Sequence, residues 1–165
     1  MSNKNGIRNY RRKKNSDSIT VEQEKDSNRG DNDKPLAKLL IVDDDPDIVH
    51  VLKLGLLKNG FLVYAFTNPE EALQAFKSDA DDFRLMVSDI RMPGLSGIQL
   101  ARKVKEINPD IKVMLMTSFE IRGNEFSKVF PSIHIAGFIQ KPFSIRDLTN
   151  KILTLLGETK RRKKE

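Results

Sequence analysis

Acidic, hydroxyl and amine side chains follow four separate apolar runs of the chain, each at the point where a run ends. Asp43 and Asp44 follow the first run, and Asp89 ends a later one. Thr117 and Lys141 stand in the same position after two further runs. Three carboxylates brought together repel one another unless a hard cation screens them or their pKa values rise. A divalent metal site is therefore a candidate, provided that the fold brings these strand ends together.

Magnesium, or manganese in its place, suits such a cluster of oxygen ligands. Mg²⁺ prefers octahedral oxygen coordination, keeps several of its waters, and commonly bridges carboxylates to a phosphoryl oxygen. Lys141 would add a further positive charge to the same region. The residue types therefore predict a site where several acids, one amine and a divalent cation meet.

Five short apolar runs alternate with stretches in which apolar residues recur at helical spacing, and this alternation predicts how the site is assembled. The predicted strands are residues 38–42, 61–66, 83–88, 111–116 and 136–140. Residues suited to N-caps precede four of the predicted helices, and they are Asp45, Asn68, Ser96 and Ser144. The remaining helix, residues 119–130, has a weak pattern. We expect an α/β fold with a parallel sheet, helices on both faces, and the site at the carboxyl edge.

The composition sets limits on the class of protein. The chain has 165 residues, 38% of them hydrophobic, which suits one domain with a buried core and leaves no room for a separate output domain. No apolar run approaches the length of a membrane span, no signal peptide is recognisable, and cysteine is absent. A cytoplasmic protein without disulfides is therefore expected.

The net charge of +6 comes from the two ends of the chain. Residues 1–36 carry nine Lys or Arg and six Asp or Glu, and residues 158–165 carry five and two. Residues 37–157 have equal numbers of each sign and are neutral. We predict a disordered polar and basic arm at 1–36, a folded domain at 37–157 and a basic tail at 158–165. The ends could attract nucleic acid, but the neutral domain does not favour that function.

Four motifs at the predicted strand ends occur together and in order. They are residues 40–44, LIVDD; 87–94, VSDIRMPG; 114–118, MLMTS; and 137–143, GFIQKPF. With these motifs at these separations, the segment 37–157 resembles a response-regulator receiver domain of two-component signalling, of the stand-alone, chemotaxis-receiver-like type. The resemblance implies a doubly wound, flavodoxin-like (βα)5 fold whose five parallel strands are ordered 2-1-3-4-5.

The resemblance also implies a role for each acid of the cluster. Asp89 would accept a phosphoryl group from a sensor histidine kinase or a histidine phosphotransfer protein. The metal ion would be held by Asp43, Asp44, Asp89 and the backbone carbonyl of Arg91. The carboxylate would attack phosphorus in line, while the cations stabilise charge on the equatorial oxygens. Because such a domain supplies much of its own catalysis, small acyl phosphates could also be donors.

Output would depend on Thr117 and Phe138, by the same resemblance. Thr117 and Lys141 would contact the new phosphoryl group, and Phe138 would then pack inward behind Thr117. The surface of the fourth helix, fifth strand and fifth helix would change and signal to a separate protein, with the chain a monomer or a phosphorylation-dependent dimer. The Lys141-Pro142 peptide bond would be cis, as in the family.

Two departures from the family pattern bear on function. Ser96 stands before Gly97 where many receivers have Asp, and Ser caps a helix equally well. Arg91 and Phe119 occupy the two variable positions that flank the path of the attacking water during self-dephosphorylation in the family. A bulky cation and an aromatic ring should obstruct that water, so we expect the phosphoryl group to be lost slowly.

Two other functions compete with this interpretation. A haloacid-dehalogenase-type phosphatase would use residues 41–45 as its strand-DxD start, but it needs a second acidic pair after Lys141, where only Asp147 follows within the domain. It would also leave Asp89 without a role. A non-switching nucleic-acid or scaffold module would use the basic ends and be indifferent to the loss of Asp89.

Overall fold

The computed structural model describes residues 10–15, 18–23, 34–119 and 133–158. The predicted fourth helix lies outside the described residues from position 120 onward, as does the basic tail after position 158. The strands are β1 (Tyr10–Asn15), β2 (Ser18–Gln23), β3 (Lys38–Val42), β4 (Leu62–Phe66), β5 (Phe83–Asp89), β6 (Lys112–Thr117) and β7 (Gly137–Gln140). The helices are α1 (Pro46–Lys58), α2 (Pro69–Ser78), α3 (Gly97–Ile107) and α4 (Ile145–Leu156).

Strands β3 to β7 form one parallel sheet in the order β4-β3-β5-β6-β7. Counted along the chain, this order is 2-1-3-4-5, so the predicted flavodoxin-like α/β fold is confirmed. The chain passes from β3 outward to β4 and then returns to the other side of β3 to form β5. A reversal of this kind opens a crevice at the carboxyl ends of the two central strands, where ligands bind in such folds.

Alternate residues of β3 pack into separate cores on the two faces of the sheet. Leu39 and Ile41 belong to the core beneath α1 and α4, whereas Leu40 and Val42 belong to the core beneath α2 and α3. All five residues of the strand are buried. A strand covered on both faces needs apolar side chains at nearly every position, which is why this segment is a continuous apolar run.

The predicted N-caps are present at the four helices described. Each cap accepts a hydrogen bond from a backbone N–H of the first turn, and the caps are Asp45, Asn68, Ser96 and Ser144. Ser96 also forms a capping box with Gln99, which fixes the start of α3. Over the described parts of the chain, no helix has both the length and the apolar character needed to cross a membrane.

Two strands lie within the predicted N-terminal arm, and the disorder of the arm stays a prediction. Strands β1 and β2 pair in antiparallel fashion along their whole length. Ile19, Thr20 and Val21 are β-branched residues, which favour strands, and the low overall hydrophobic content of the arm hid this local preference. Strand β2 contacts β4. The boundary of the folded domain near residue 37 stays a prediction.

Candidate functional site

Four strand ends bring predicted site residues to one edge of the sheet. Asp43 directly follows β3, and Asp89 is the last residue of β5. Thr117 is the last residue of β6, and Lys141 directly follows β7. Because β3 and β5 are hydrogen-bonded neighbours, Asp43 and Asp89 lie side by side at the point where the strand order reverses.

One ammonium group joins the two buried acids. Nζ of Lys141 lies 2.7 Å from Oδ2 of Asp43 and 2.8 Å from Oδ1 of Asp89. Asp43 is 1% exposed and Asp89 8% exposed, so both carboxylates are largely removed from water. Neighbouring carboxylates in such surroundings repel each other, and the ammonium group between them offsets that repulsion. Asp43, Asp89 and Lys141 therefore form a single ion-paired cluster.

Backbone amides hold the other carboxylate oxygens of this cluster. Oδ1 of Asp43 accepts a hydrogen bond of 3.0 Å from the N–H of Asp45. Oδ2 of Asp89 accepts one of 3.0 Å from the N–H of Arg91. Each carboxylate is thus oriented by one amide and one ammonium group. Asp44, the other member of the predicted acidic pair, is exposed to solvent at the rim of the cluster.

Burial and ion pairing act in opposite directions on the ionisation of the cluster. Burial raises the pKa of Asp43, and the hydrogen bonds from Lys141 and the amide of Asp45 only partly offset that effect. Burial alone would lower the pKa of Lys141, but its hydrogen bonds to Asp43 and Asp89 outweigh burial and raise that pKa. Lys141 is therefore charged at neutral pH.

The two predicted switch residues lie near the cluster but make other contacts. Oγ1 of Thr117 accepts a hydrogen bond of 3.0 Å from the N–H of Phe119 and lies 3.3 Å from the carbonyl oxygen of that residue. The hydroxyl group is therefore bonded within its own loop. The N–H of Lys141 donates to the carbonyl oxygen of Thr117 at 2.7 Å, which joins the two strand ends.

Phe138 is half-buried and packs against the core beneath α2 and α3. The Lys141-Pro142 bond is cis, as predicted.

Two residues that position Asp89 were not identified from the sequence. A Cβ atom added to Gly97 would lie 2.0 Å from the carbonyl oxygen of Asp89, so only glycine lets α3 approach this closely. The N–H of Gly97 donates to the carbonyl oxygen of Ile90 at 3.0 Å. The buried hydroxyl of Ser88 donates to the carbonyl oxygen of Asp89 at 3.0 Å. A glycine in the first position of a helix was the only signal of this contact in the sequence.

Arg91 and Phe119 contact each other. The Cζ atom of Arg91 lies 4.1 Å from the centre of the Phe119 ring, the geometry of a cation–π contact. Phe119 is 58% exposed, and Arg91 is exposed as well. Each side chain belongs to a loop that directly follows a site residue, Asp89 or Thr117. Together they form a bulky, exposed pair in the loops that follow Asp89 and Thr117.

The donor atoms of the cluster suit a hard divalent cation. Two carboxylates face one ammonium group, so the cluster has a formal charge of −1 and offers only oxygen atoms as ligands. In the part of the chain that the structure describes, no three His, Cys, Asp or Glu side chains are grouped to hold a metal ion. Mg²⁺ needs only one or two carboxylates and fills its remaining positions with water, so Asp43 and Asp89 are sufficient.

Comparison with known proteins assigns this fold and site to a class. Receiver domains of response regulators, the phospho-acceptor switches of two-component signalling, share this fold, and the family model "Response regulator receiver domain" matches residues 39–153. The chain belongs to the response regulator receiver domain family. This membership decides against the haloacid-dehalogenase-type phosphatase.

Two curated relatives show different overall lengths. The response regulator receiver protein CpdR of Brucella abortus is 35% identical over 121 residues, which cover 73% of this chain and 98% of the relative. The response regulator SaeR of Staphylococcus epidermidis is 32% identical over 128 residues, which cover 75% of this chain and 53% of the relative. The chain thus spans nearly all of one relative and about half of the other.

A solved structure of similar fold contains a metal complex. The response regulator protein TrrA from Thermotoga maritima, solved in complex with Mg²⁺-BeF, is 30% identical to this chain and superposes with a TM-score of 0.61. The match covers 73% of this chain and 99% of that protein. The likeness therefore extends over the whole receiver fold.

Proposed function

We propose that this protein accepts a phosphoryl group on Asp89 and switches a surface that a separate partner protein reads. The observation that carries the proposal is the bridge from Nζ of Lys141 to Oδ2 of Asp43, 2.7 Å, and Oδ1 of Asp89, 2.8 Å. A buried carboxylate beside a fixed ammonium group and a second acid is suited to nucleophilic attack on phosphorus.

The reaction transfers a phosphoryl group from a phosphohistidine of a histidine kinase or phosphotransfer protein. A carboxylate oxygen of Asp89 forms the new P–O bond as the P–N bond of the donor breaks, and the electron pair of that bond stays on the imidazole. Lys141 already contacts the Asp89 carboxylate, so its ammonium group can follow the negative charge onto a phosphoryl oxygen. The amide of Arg91 holds the carboxylate during the attack.

A magnesium ion would be held by Asp43, Asp44 and Asp89 with the carbonyl oxygen of Arg91. When bound, it would supply positive charge to the phosphoryl oxygens. Support comes from the oxygen-only donor set of the cluster and from TrrA, which was solved with Mg²⁺-BeF. Manganese would serve in the same way.

The signal would leave the site through Thr117. Its hydroxyl group bonds to the backbone of Phe119, and it would exchange these bonds for one to a phosphoryl oxygen. Phe138, which is only half-buried, could then pack further inward. The surface that the partner reads would comprise β7, α4 and residues 119–130, which lie between β6 and β7 in the sequence. CpdR, which this chain covers almost completely, supports output through a separate protein.

The phosphoryl group would be lost slowly. Hydrolysis needs a water molecule in line with the Asp89–phosphorus bond, on the solvent side of the site. Arg91 and Phe119 belong to the loops that follow Asp89 and Thr117, and the Cζ atom of Arg91 lies 4.1 Å from the centre of the Phe119 ring. These two bulky side chains would obstruct the water. A decay half-life of only seconds in purified protein with magnesium would contradict this part of the proposal.

Intact-protein mass spectrometry after treatment with a small acyl phosphate tests the function. The wild-type chain should gain the mass of one phosphoryl group with magnesium and none with a chelator. Asp89→Ala should gain none, whereas Asp81→Asn, which changes an exposed acid outside the cluster, should behave as wild type. Equal labelling of wild type and Asp89→Ala would refute the proposal and favour a non-switching module.

A further inference from the structure

The loops that follow β5 and β6 leave the sheet from neighbouring positions. Asp89 and Met116 are partners in the parallel ladder between these two strands. Arg91 stands two residues beyond Asp89, and Phe119 stands two residues beyond Thr117. The two loops therefore start side by side, and their side chains can meet.

Each loop holds one functional side chain through its backbone. The N–H of Arg91 donates to Oδ2 of Asp89 at 3.0 Å. The N–H of Phe119 donates to Oγ1 of Thr117 at 3.0 Å, and that oxygen lies 3.3 Å from the carbonyl oxygen of Phe119. A threonine hydroxyl that bonds to the backbone two residues further on closes a local turn. One loop thus orients the Asp89 carboxylate, and the other keeps the Thr117 hydroxyl within its own turn.

A side-chain contact joins the two loops. The Cζ atom of Arg91 lies 4.1 Å from the centre of the Phe119 ring, within the range of cation–π attraction. Phe119 is 58% exposed and Arg91 is exposed as well, so burial in a core does not bring the two side chains together. The contact therefore stabilises the present arrangement of the two loops.

We propose that the contact between Arg91 and Phe119 is a latch that keeps the Thr117 hydroxyl in its turn, with Phe119 as a positioning residue. The inference rests on the proposed function, in which this hydroxyl leaves Phe119 for a phosphoryl oxygen on Asp89. That exchange opens the turn, whereas Arg91 stays where its amide bonds to Asp89. Opening the turn separates the ring from the guanidinium group, so the latch stabilises only the conformation that precedes the switch.

The latch biases an equilibrium between two conformations and does not block it. Loss of an exposed cation–π contact changes an equilibrium constant by about two- to fivefold. A ligand that binds only a minor conformation binds more tightly in proportion to the population of that conformation. Loss of the latch should therefore tighten the binding of a phosphoryl-group analogue by the same factor.

Two simpler roles of this pair lead to different expectations. A pair that only obstructs the attacking water acts on hydrolysis, so it leaves the affinity for a non-hydrolysable analogue unchanged. A pair that is only a surface contact affects neither hydrolysis nor affinity. The binding of such an analogue therefore distinguishes the latch from both roles.

The test is a titration of the full chain with Mg²⁺ and beryllium fluoride, the complex present in the TrrA structure. It is followed by the NMR signal of the Thr117 methyl group in protein with isotope-labelled threonine. Phe119→Leu removes the ring but keeps the backbone groups that bond to Thr117. This variant should bind beryllium fluoride about two- to fivefold more tightly than wild type. Before any ligand is added, its Thr117 signal should already be shifted towards the position seen at saturation.

Two further variants test whether the ring acts through Arg91. Phe119→Tyr keeps an aromatic ring and should match wild type in both measurements. In an Arg91→Gln background the contact is already lost, so adding Phe119→Leu should leave the affinity unchanged. The direct effect of the Arg91 charge on an anion cancels in this comparison, because both proteins lack that charge.

The results separate the latch from the function on which it rests. Equal affinity of wild type, Phe119→Leu and Phe119→Tyr for beryllium fluoride would overturn the latch alone. The same tightening by Phe119→Leu with and without Arg91 would also overturn it, because the ring would then act without its partner. A wild-type chain that binds no beryllium fluoride and takes no acyl phosphate on Asp89 would overturn the proposed function, and the latch with it.

Discussion

The candidate site depends on the balance of charge around Lys141. Its ammonium group is the bridge between two acids that are almost fully buried. Replacing Lys141 would leave the two buried acids without a partner for their charge. Such a loss costs far more free energy than the intact ion pair contributes to stability. The same imbalance should increase the attraction of the site for a divalent cation. Stability and cation binding are therefore coupled through one side chain.

Lys141→Met should destabilise the protein and make its stability depend on magnesium. Loss of one partner of a fully buried pair costs about 3–5 kcal/mol, and we expect about 2 kcal/mol because Lys141 is partly exposed. Added Mg²⁺ should restore more of the free energy of unfolding in this variant than it adds to wild type, since a ligand stabilises the state that binds it. Urea unfolding with Mg²⁺ or chelator measures both effects, with Lys103→Met as control. Equal responses to Mg²⁺ would show that the two acids do not share a cation.

The raised pKa of Asp43 gives stability a pH dependence of defined sign. A carboxyl group whose pKa is raised in the folded state holds its proton more tightly there than in the unfolded chain. The protonated group therefore adds to the free energy of unfolding at low pH. This contribution is lost as pH rises from its ordinary pKa of 3.8 through the raised pKa. The Asp43→Asn variant has no carboxyl group to titrate at this position. In the presence of a chelator, its free energy of unfolding should therefore increase with pH relative to that of wild type. Urea unfolding between about pH 4 and about pH 7 tests this, and a constant difference would contradict it.

At the scale of elements, α3 and β5 determine where Asp89 is held. The capping box of Ser96 and Gln99 starts α3 at Gly97, directly against the carbonyl oxygen of Asp89. Ser88, in β5, bonds to the same oxygen. The backbone of Asp89 is therefore held between a strand and the first turn of a helix, while its side chain contacts Lys141 and the amide of Arg91.

Gly97→Ala should destabilise the fold and slow labelling of Asp89. Its Cβ atom would lie 2.0 Å from the carbonyl oxygen of Asp89, so α3 must move away. Overpacking of this kind typically costs about 1–3 kcal/mol. Gly137→Ala is a matched control, because its Cβ atom would meet a side-chain methyl of Leu155 at 3.3 Å, and that side chain can shift. Urea unfolding and the rate of acyl-phosphate labelling report the two effects, and similar values for both variants would contradict this role of Gly97.

At the scale of the whole molecule, charge is divided between a neutral domain and two basic ends. The described residues of the two cores lie between residues 36 and 156. The hairpin of β1 and β2 belongs to a separate two-stranded sheet, although β2 contacts β4. Without ladder hydrogen bonds to the domain, the hairpin should add little to its stability.

A chain trimmed to residues 34–158 should therefore unfold as cooperatively as the full chain. We expect its free energy of unfolding to lie within about 0.5 kcal/mol of that of the full chain, as for changes outside a folded core. Parallel urea titrations of the two proteins measure the difference. A loss of more than about 2 kcal/mol would show that the hairpin is part of the folded domain, since a change of that size requires the loss of packing or hydrogen bonds.

Local patterns in the sequence were sufficient for the architecture. The continuous apolar run from Leu39 to Val42, the caps at Asp45 and Ser96, and the acids at the strand ends all depend on near neighbours in the chain. Those patterns predicted the parallel sheet, and the motifs predicted its family and strand order. They did not identify the strands β1 and β2, because the β-branched run at 19–21 is surrounded by polar residues.

Only the tertiary structure decided how the site residues meet. Lys141 and Asp43 are 98 positions apart, and their contact follows from the packing of two strand ends. Packing also decided that Asp43 is buried while Asp44 faces solvent, and that Gly97 touches the backbone of Asp89. Such distances arise from many weak contacts acting together across the sheet, and no single segment of the chain contains them.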